Sequence, residues 1–453
     1  MSAPTAIPPA GPGPFAAHDP AGAPRPGDGP NRNRPLLAQR EFAALWWAQL
    51  ISIFGDRLTY LALVGLLAGH TGDFRDARAP VLLSVLANVM LAPVLLFSPF
   101  AGAWVDRWNL KHVLVISDLL RAALVLLIPT LYALNAQTTL TFTLVFLLFT
   151  CNVFFLPARS AITPELVAPD QLLAANALLT GAGIAATALG ALAGGWVVDH
   201  WGWPAALRID AATYAISVGA IVLIRYRPAL HHATLAAATL RGYLREVREG
   251  GALLAQNAGV GLALIALAAV WVGGGFLHVA GNAHIQRAAS HPGMERVGIL
   301  LCALGVGSGL GTWWVNARGT AWPRPVLLGA GLVTIGLGLA VFAASRWFAV
   351  FAGAAFVIGI AAAPAFVLSE TLLQQASAPA QRGRLFSLRD FLMRLLFLIA
   401  VSAAGWMTRA FDTRSALLVC ATLIALAGVL ALAWGRWHPE LMRSTGARDP
   451  LDR

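Results

Sequence analysis

The 453-residue sequence is short of charge: 12% of its residues are Asp, Glu, Lys or Arg, against 58% hydrophobic, and its mean hydropathy is +0.69. A soluble domain carries roughly a quarter charged residues, so the polar surface that a water-facing fold needs is missing. Lysine is nearly absent, Lys111 being the single one. Cysteine is scarce as well. Cys151, Cys302 and Cys420 each lie inside an apolar run without ligand spacing, as small buried hydrophobes do. No G-x-x-x-x-G-K-[ST] phosphate loop occurs, and no polar segment is large enough to house a nucleotide. No cofactor is therefore expected, and any energy input must come from an ion gradient. The net charge of +11 does not point to nucleic acid, because the arginines are scattered through the joints between apolar runs and form no single basic face.

What fills the chain is apolar sequence in stretches of about 20 residues, each long enough to cross a hydrocarbon core of roughly 30 Å as a helix. Twelve runs are predicted, over 42–69, 80–104, 111–134, 139–157, 173–198, 204–224, 259–283, 297–315, 326–344, 347–368, 386–408 and 415–436. An unpaired strand edge has no place in lipid, so the expected fold class is an all-α polytopic membrane protein. Residues 1–38, rich in Pro, Gly and Ala, read as a disordered cytosolic tail. A first six-helix half over 39–226 and a second over 257–437 are separated by a cytosolic linker, 227–256. Within that linker, 240-LRGYLREVREG-250 reads as an amphipathic helix on the membrane surface. Residues 438–453 form a C-terminal tail. The basic residues favour both termini in the cytosol. Joints on that side hold Arg107 and Lys111, then Arg159, the Arg225–Arg248 cluster, Arg318, Arg324 and Arg382–Arg389.

The chain also repeats itself at an offset of about 210. Ala-Pro and Gln of 168-APDQ-171 fall on 378-APAQ-381, and Gly195-Trp196 falls on Gly405-Trp406. At 209, 102-GAWVDRW-108 falls on 311-GTWWVNA-317, where Val315 stands in place of Asp106. Two halves in the same orientation put a substrate site between them near mid-membrane.

The joint between the second and third runs reads 102-GAWVDRWNLKH-112, a G-x-x-x-D-R-x-x-x-K pattern made by Gly102, Asp106, Arg107 and Lys111. With six plus six helices it resembles the major facilitator superfamily, although Asn109 and Leu110 depart from that family's glycine and arginine. Two further stretches, 157-PARSAITPELVAPDQLLAANAL-178 and 381-QRGRLFSL-388, are similar to the bacterial efflux branch with siderophore and macrolide exporters. The resemblance implies the major facilitator fold, transport without enzymatic chemistry, and a bacterial inner-membrane protein. It also implies that Asp106 meets the N-terminus of the eleventh helix near Arg389. The 190-GALAGG-195 stretch lacks the proline that superfamily antiporters carry there, and Gly190 and Gly194 also suit close helix packing.

Charges inside a span are costly and mark candidate sites. Asp56 lies about 22 Å along the first helix from Glu41. Burial favours the neutral form of a carboxyl, a property that suits a proton-coupling residue, so Asp56 is the candidate. Arg57 lies about 100° round that helix, off Asp56's face. Asp118 and Arg121, at i and i+3, read as a local pair. Asp210, following Arg208, reads as a structural or outer-gate residue. Arg159, Glu370 and Arg389 are gate or seam candidates. Trp271, His278 and Asn282, at i, i+7 and i+11, share a face of the seventh helix that can line a cavity. The histidines have no acid or cysteine at ligand spacing, so no metal is expected.

The expected function is secondary active export of amphipathic small molecules by alternating access with proton antiport, as a monomer in the bilayer. The expected partners are a small-molecule substrate and a coupling ion, with no nucleic acid. Uptake or lysolipid flipping by the same fold, and a non-transporting membrane sensor, are the alternatives.

Overall fold

The computed structural model describes residues 35–71, 76, 78–105, 107–135, 138–226, 258–288, 293–376 and 379–437. The expected central linker, its amphipathic helix and the C-terminal tail lie outside the described residues, as do Asp106 and residues 1–34. The boundary placed at residue 38 is too late: Leu36–Ala38 forms a short 3-10 turn and buries Leu36.

Among the described residues, twelve helices are long and apolar enough to span a membrane. They are α1 (Arg40–His70), α2 (Ala79–Val105), α3 (Leu110–Asn135), α4 (Thr138–Leu166), α5 (Leu172–Trp201) and α6 (Trp203–Val222). The second six are α7 (Ala258–Ala288), α8 (Met294–Arg318), α9 (Arg324–Ala344), α10 (Phe348–Ala376), α11 (Pro379–Ala410) and α12 (Thr413–Trp437). Helix α7 carries one π turn, Leu277–Gly281. Successive helices reverse direction, so α1 begins and α12 finishes at one end of the bundle, the terminal end; the other is the distal end. Apolar side chains such as Leu337 and Leu430, each 60% exposed, face outward where lipid replaces water.

Several helices overrun the apolar runs that predicted them. Helix α4 continues from 157 to Leu166 through Pro157 and Pro164, and α10 continues from 368 to Ala376. Hydropathy marks where the hydrocarbon stops, whereas the backbone hydrogen-bond ladder continues into the polar layer. Prolines are tolerated there because neighbouring helices re-satisfy the freed groups.

Gly190 and Gly194 do what small residues do between membrane helices. A Cβ on Gly190 would stand 2.6 Å from the Phe54 carbonyl oxygen, and one on Gly194 would stand 3.1 Å from the Leu58 Cα, so α5 lies directly on α1. Two apolar cores result. One, with Phe42, Leu114, Phe155 and Ile221, belongs to the terminal end of the first half alone. The other runs from Leu61, Leu83 and Val198 of the first half into Val279, Met294 and Ala404 of the second. The halves share a core at the distal end.

Candidate functional site

Helices α5 and α8 show how the halves meet. Near the distal end a Cβ on Gly298 would fall 2.2 Å from the Ala191 carbonyl oxygen, and one on Gly195 would fall 2.4 Å from that of Met294. Only glycine allows backbones to approach so closely. Toward the terminal end, a Cβ on Gly305 or Gly309 of α8, or on Gly181 of α5, would meet no other atom within 4 Å. The two helices therefore touch distally and splay terminally. The second seam is also in contact distally: a Cβ on Gly405 of α11 would stand 2.6 Å from Ser84 Oγ of α2, and Asn88 Nδ2 donates to Ser402 Oγ at 2.8 Å. Asp199, at the end of α5, accepts the Met294 and Glu295 backbone N–H groups at 2.7 and 2.8 Å, capping α8 across the seam.

The splay leaves a cavity of about 720 Å³ between the halves. Fourteen of its lining residues come from the first half and five from the second, so its chemistry is set by α1, α3, α4 and α5. Helix α1 contributes Gln49, Ser52, Ile53 and Asp56, at i, i+3, i+4 and i+7 on one face. Arg57 lines the same cavity although it lies off that face; the cavity is wide enough to take in both flanks of the helix.

Asp56 and Arg121 join this wall to a buried polar cluster. Arg121, 1% exposed, donates from Nη1 to Asp56 Oδ1 at 3.4 Å and from Nη2 to Asp118 and to Ser52 Oγ. Its guanidinium carbon lies 4.6 Å from the Phe155 ring centroid and 4.5 Å from that of Tyr214, aromatic faces that suit a cation. Asp118, fully buried, accepts from Ser217 Oγ at 2.6 Å, and Tyr214 donates its hydroxyl to Asp56 Oδ1 at 2.5 Å. Asp118 and Arg121 thus form the expected i, i+3 pair, and the same guanidinium also serves Asp56 from another helix. Asp56 is the acid of this group that faces the cavity, its side chain 28% exposed. Asp210, fully buried near the distal start of α6, is held by the hydroxyls of Thr59 and Thr213. Tyr214 and Gln49 had not been singled out in the sequence; the polar stripe Gln49–Ser52–Asp56 was the available signal for the latter.

The other candidates fall in different places. Arg159 lines the cavity. Glu370 of α10 and Arg389 of α11 form an ion pair at 2.6 Å within the second half, and Arg389 also contacts Asp390 at 2.9 Å. Gly102 lies in the last turn of α2. Lys111 of the joint motif donates to the Val222 and Ile224 carbonyls at 2.8 Å each, closing the C-terminus of α6. Arg107 is exposed. Trp271, His278 and Asn282 do not line this cavity. Trp271 packs edge-on to Phe397, and His278 Nδ1 lies 3.3 Å from the Tyr60 hydroxyl across the halves. Asn282 is buried, with neither amide atom partnered. The polar face of α7 is turned into the distal closure, where Trp271 and His278 meet Phe397 of α11 and His278 meets Tyr60 of α1.

Two six-helix halves closed at one end over a cavity with an embedded charge cluster define a membrane transporter of the two-bundle class. The family model for the Major Facilitator Superfamily matches residues 45–320. The chain belongs to that superfamily, whose members are transporters and not enzymes. The macrolide efflux protein A of Streptococcus pyogenes is 24% identical over 85% of this chain and 93% of its own length. The lysophospholipid transporter LplT of Serratia proteamaculans is 30% identical over 44% of this chain, a match that spans 46% of that protein. Among solved structures, the peptide transporter POT in complex with sulfate superposes with a TM-score of 0.71 at 12% identity, over 91% of this chain and 98% of that one.

Proposed function

We propose that the protein is a secondary active exporter of amphipathic small molecules, working by alternating access and proton antiport in a bacterial inner membrane. The observation that carries this reading is the cavity itself: apolar over much of its wall, open between the halves at the terminal end, and holding Asp56 against a buried guanidinium. The terminal end is assigned to the cytosol because Arg107, Lys111, Arg159, Arg318, Arg324 and Arg389 all lie toward it. A substrate entering from that side meets apolar surface for its body and Gln49, Asn152 and Arg159 for its polar groups. When the halves rock, Asp56 changes its access to water, and a proton taken from the outside is released inside. The similarity to a macrolide efflux protein over nearly the full chain supports this direction and class of substrate.

The test is accumulation of a panel of macrolides and cationic dyes in cells with and without the protein, followed by uptake into everted vesicles under an imposed proton gradient. Export that follows the gradient and is lost in Asp56→Asn is the expected result. Gradient-independent transport, or normal export by Asp56→Asn, would remove proton coupling at this residue. The similarity over 44% of this chain to a lysophospholipid transporter favours a second reading, movement of a single-chain phospholipid. Transfer of labelled lysophospholipid across proteoliposomes with no effect on the drug panel selects it.

A further inference from the structure

Outside the central cavity, a groove of about 650 Å³ runs along the outward side of α3 and α4 from the terminal end. Its mouth carries Arg107 and His112, both exposed and in no ion pair among the described residues. Lys111, between them in sequence, is engaged on α6 and does not serve the groove. Below the mouth the lining turns apolar. His112, Ile116 and Leu120 follow one another at i+4 on α3, a strip of about 12 Å at the helical rise. Ile116 is 54% and Leu120 49% exposed. Phe154 of α4 forms the facing wall, with the Trp108 ring 6.1 Å from it at the polar rim, the depth at which tryptophan collects in membranes. No Asp or Glu is among the described residues of the groove. A phosphate finds the Arg107 guanidinium and the His112 ring at the mouth, whereas the ammonium of a zwitterionic head finds no Asp or Glu among these described residues.

We infer that this groove is a binding site for one anionic phospholipid of the surrounding bilayer. Its phosphate sits against Arg107 and His112, and one acyl chain lies along Ile116, Leu120 and Phe154. Basic recesses between membrane helices are suited to such heads, and the graded lining matches an amphiphile standing parallel to its neighbours in the leaflet. The site is distinct from the transport cavity and does not depend on what the protein carries.

Native mass spectrometry of the full-length protein, offered equal amounts of phosphatidylglycerol and phosphatidylethanolamine with the same chains, tests it. The expected result is one retained phosphatidylglycerol with roughly fivefold or greater preference, falling to parity in Arg107→Gln/His112→Gln and persisting in Arg107→Lys. Cys151→Trp, which fills the apolar part and leaves Arg107 and His112 in place, should lose the bound lipid altogether. Equal retention of the two lipids by the unaltered protein, or an unchanged preference in the double variant, would overturn the assignment. So would retention of detergent alone or of a second copy of the chain in place of lipid.

Discussion

Gly298→Ala is the smallest change that tests how the halves close. The added Cβ would stand 2.2 Å from the Ala191 carbonyl oxygen, where ordinary contact begins at 3.4 Å, and the obstacle is backbone that no rotamer change removes. Helices α5 and α8 must separate by about 1 Å at the crossing, and overpacking of this kind costs about 1–3 kcal/mol. Alanine is also the better helix former, by about 1 kcal/mol, but that gain is common to both conformations and cancels between them. Once α5 and α8 part distally the methyl meets no clash, so the full cost falls on the distal-closed form. A penalty of about 1–3 kcal/mol moves such an equilibrium by roughly 5- to 150-fold. Spin labels at the exposed distal residues Arg78 and Arg346, one on each half, report the change as a long-distance population in double electron–electron resonance. Gly305→Ala is the control, because its Cβ meets nothing within 4 Å in this conformation. A distance distribution for Gly298→Ala indistinguishable from that of the unaltered protein would refute the argument that this crossing seals the distal end.

The cap on α8 should act in the same direction with less force. Asp199→Ala removes the acceptor for two backbone N–H groups, about 0.5–2 kcal/mol for a helix cap, and the same labels should show a smaller gain in the long distance. Asp118→Asn should lower stability by about 3–5 kcal/mol in thermal or denaturant unfolding, because it withdraws the nearest counter-charge from a guanidinium that is 1% exposed. The double change Asp118→Asn/Arg121→Met should recover part of that loss, and a loss equal to the two single effects added together would contradict the ion-pair account. Asp56→Asn should leave folding intact while abolishing gradient-driven export, read as vesicle uptake at constant protein level.

The spans were legible because lipid leaves few options: a run of apolar residues in a chain with so little charge has to cross as a helix. The cavity face of α1 was legible in part, since Asp56 is the costly residue in that run and Gln49 and Ser52 repeat at its helical spacing. Asp118 and Arg121 declared themselves by their i, i+3 spacing. Sequence spacing is silent, however, on what lies across from a helix, so Asp56 as the second acid on Arg121 was out of reach. The same limit misplaced the face of Trp271, His278 and Asn282. In an apolar helix a polar stripe can look into the cavity or into the packed closure, and periodicity is identical in both. Only the neighbours, Phe397 and Tyr60, decide it.

The internal repeat separates what the halves share from what they do not. Gly195 and Gly405 stand 210 apart; the residues they press on, Met294 and Ser84, stand 210 apart as well. The repeat thus preserves both members of the two distal crossings, α5 on α8 and α11 on α2, as a rocking joint requires if it is to close evenly on both seams. The charge cluster is not preserved. At the same offset Asp56, Asp118, Arg121 and Asp210 fall on Ala266, Leu328, Gly331 and Cys420. A buried charge is tolerated only where it is used or paired, and the second half has the matching crossings without these four charges. Its contribution to the cavity is correspondingly slight, five residues led by the small positions of α8. Ion coupling on this reading is a property of the first half, and the second half works as a moving wall. Reconstituting the first-half charges at Ala266 or Leu328 should then destabilise the fold without adding a second coupled ion, because neither position faces the cavity and each is at most 2% exposed.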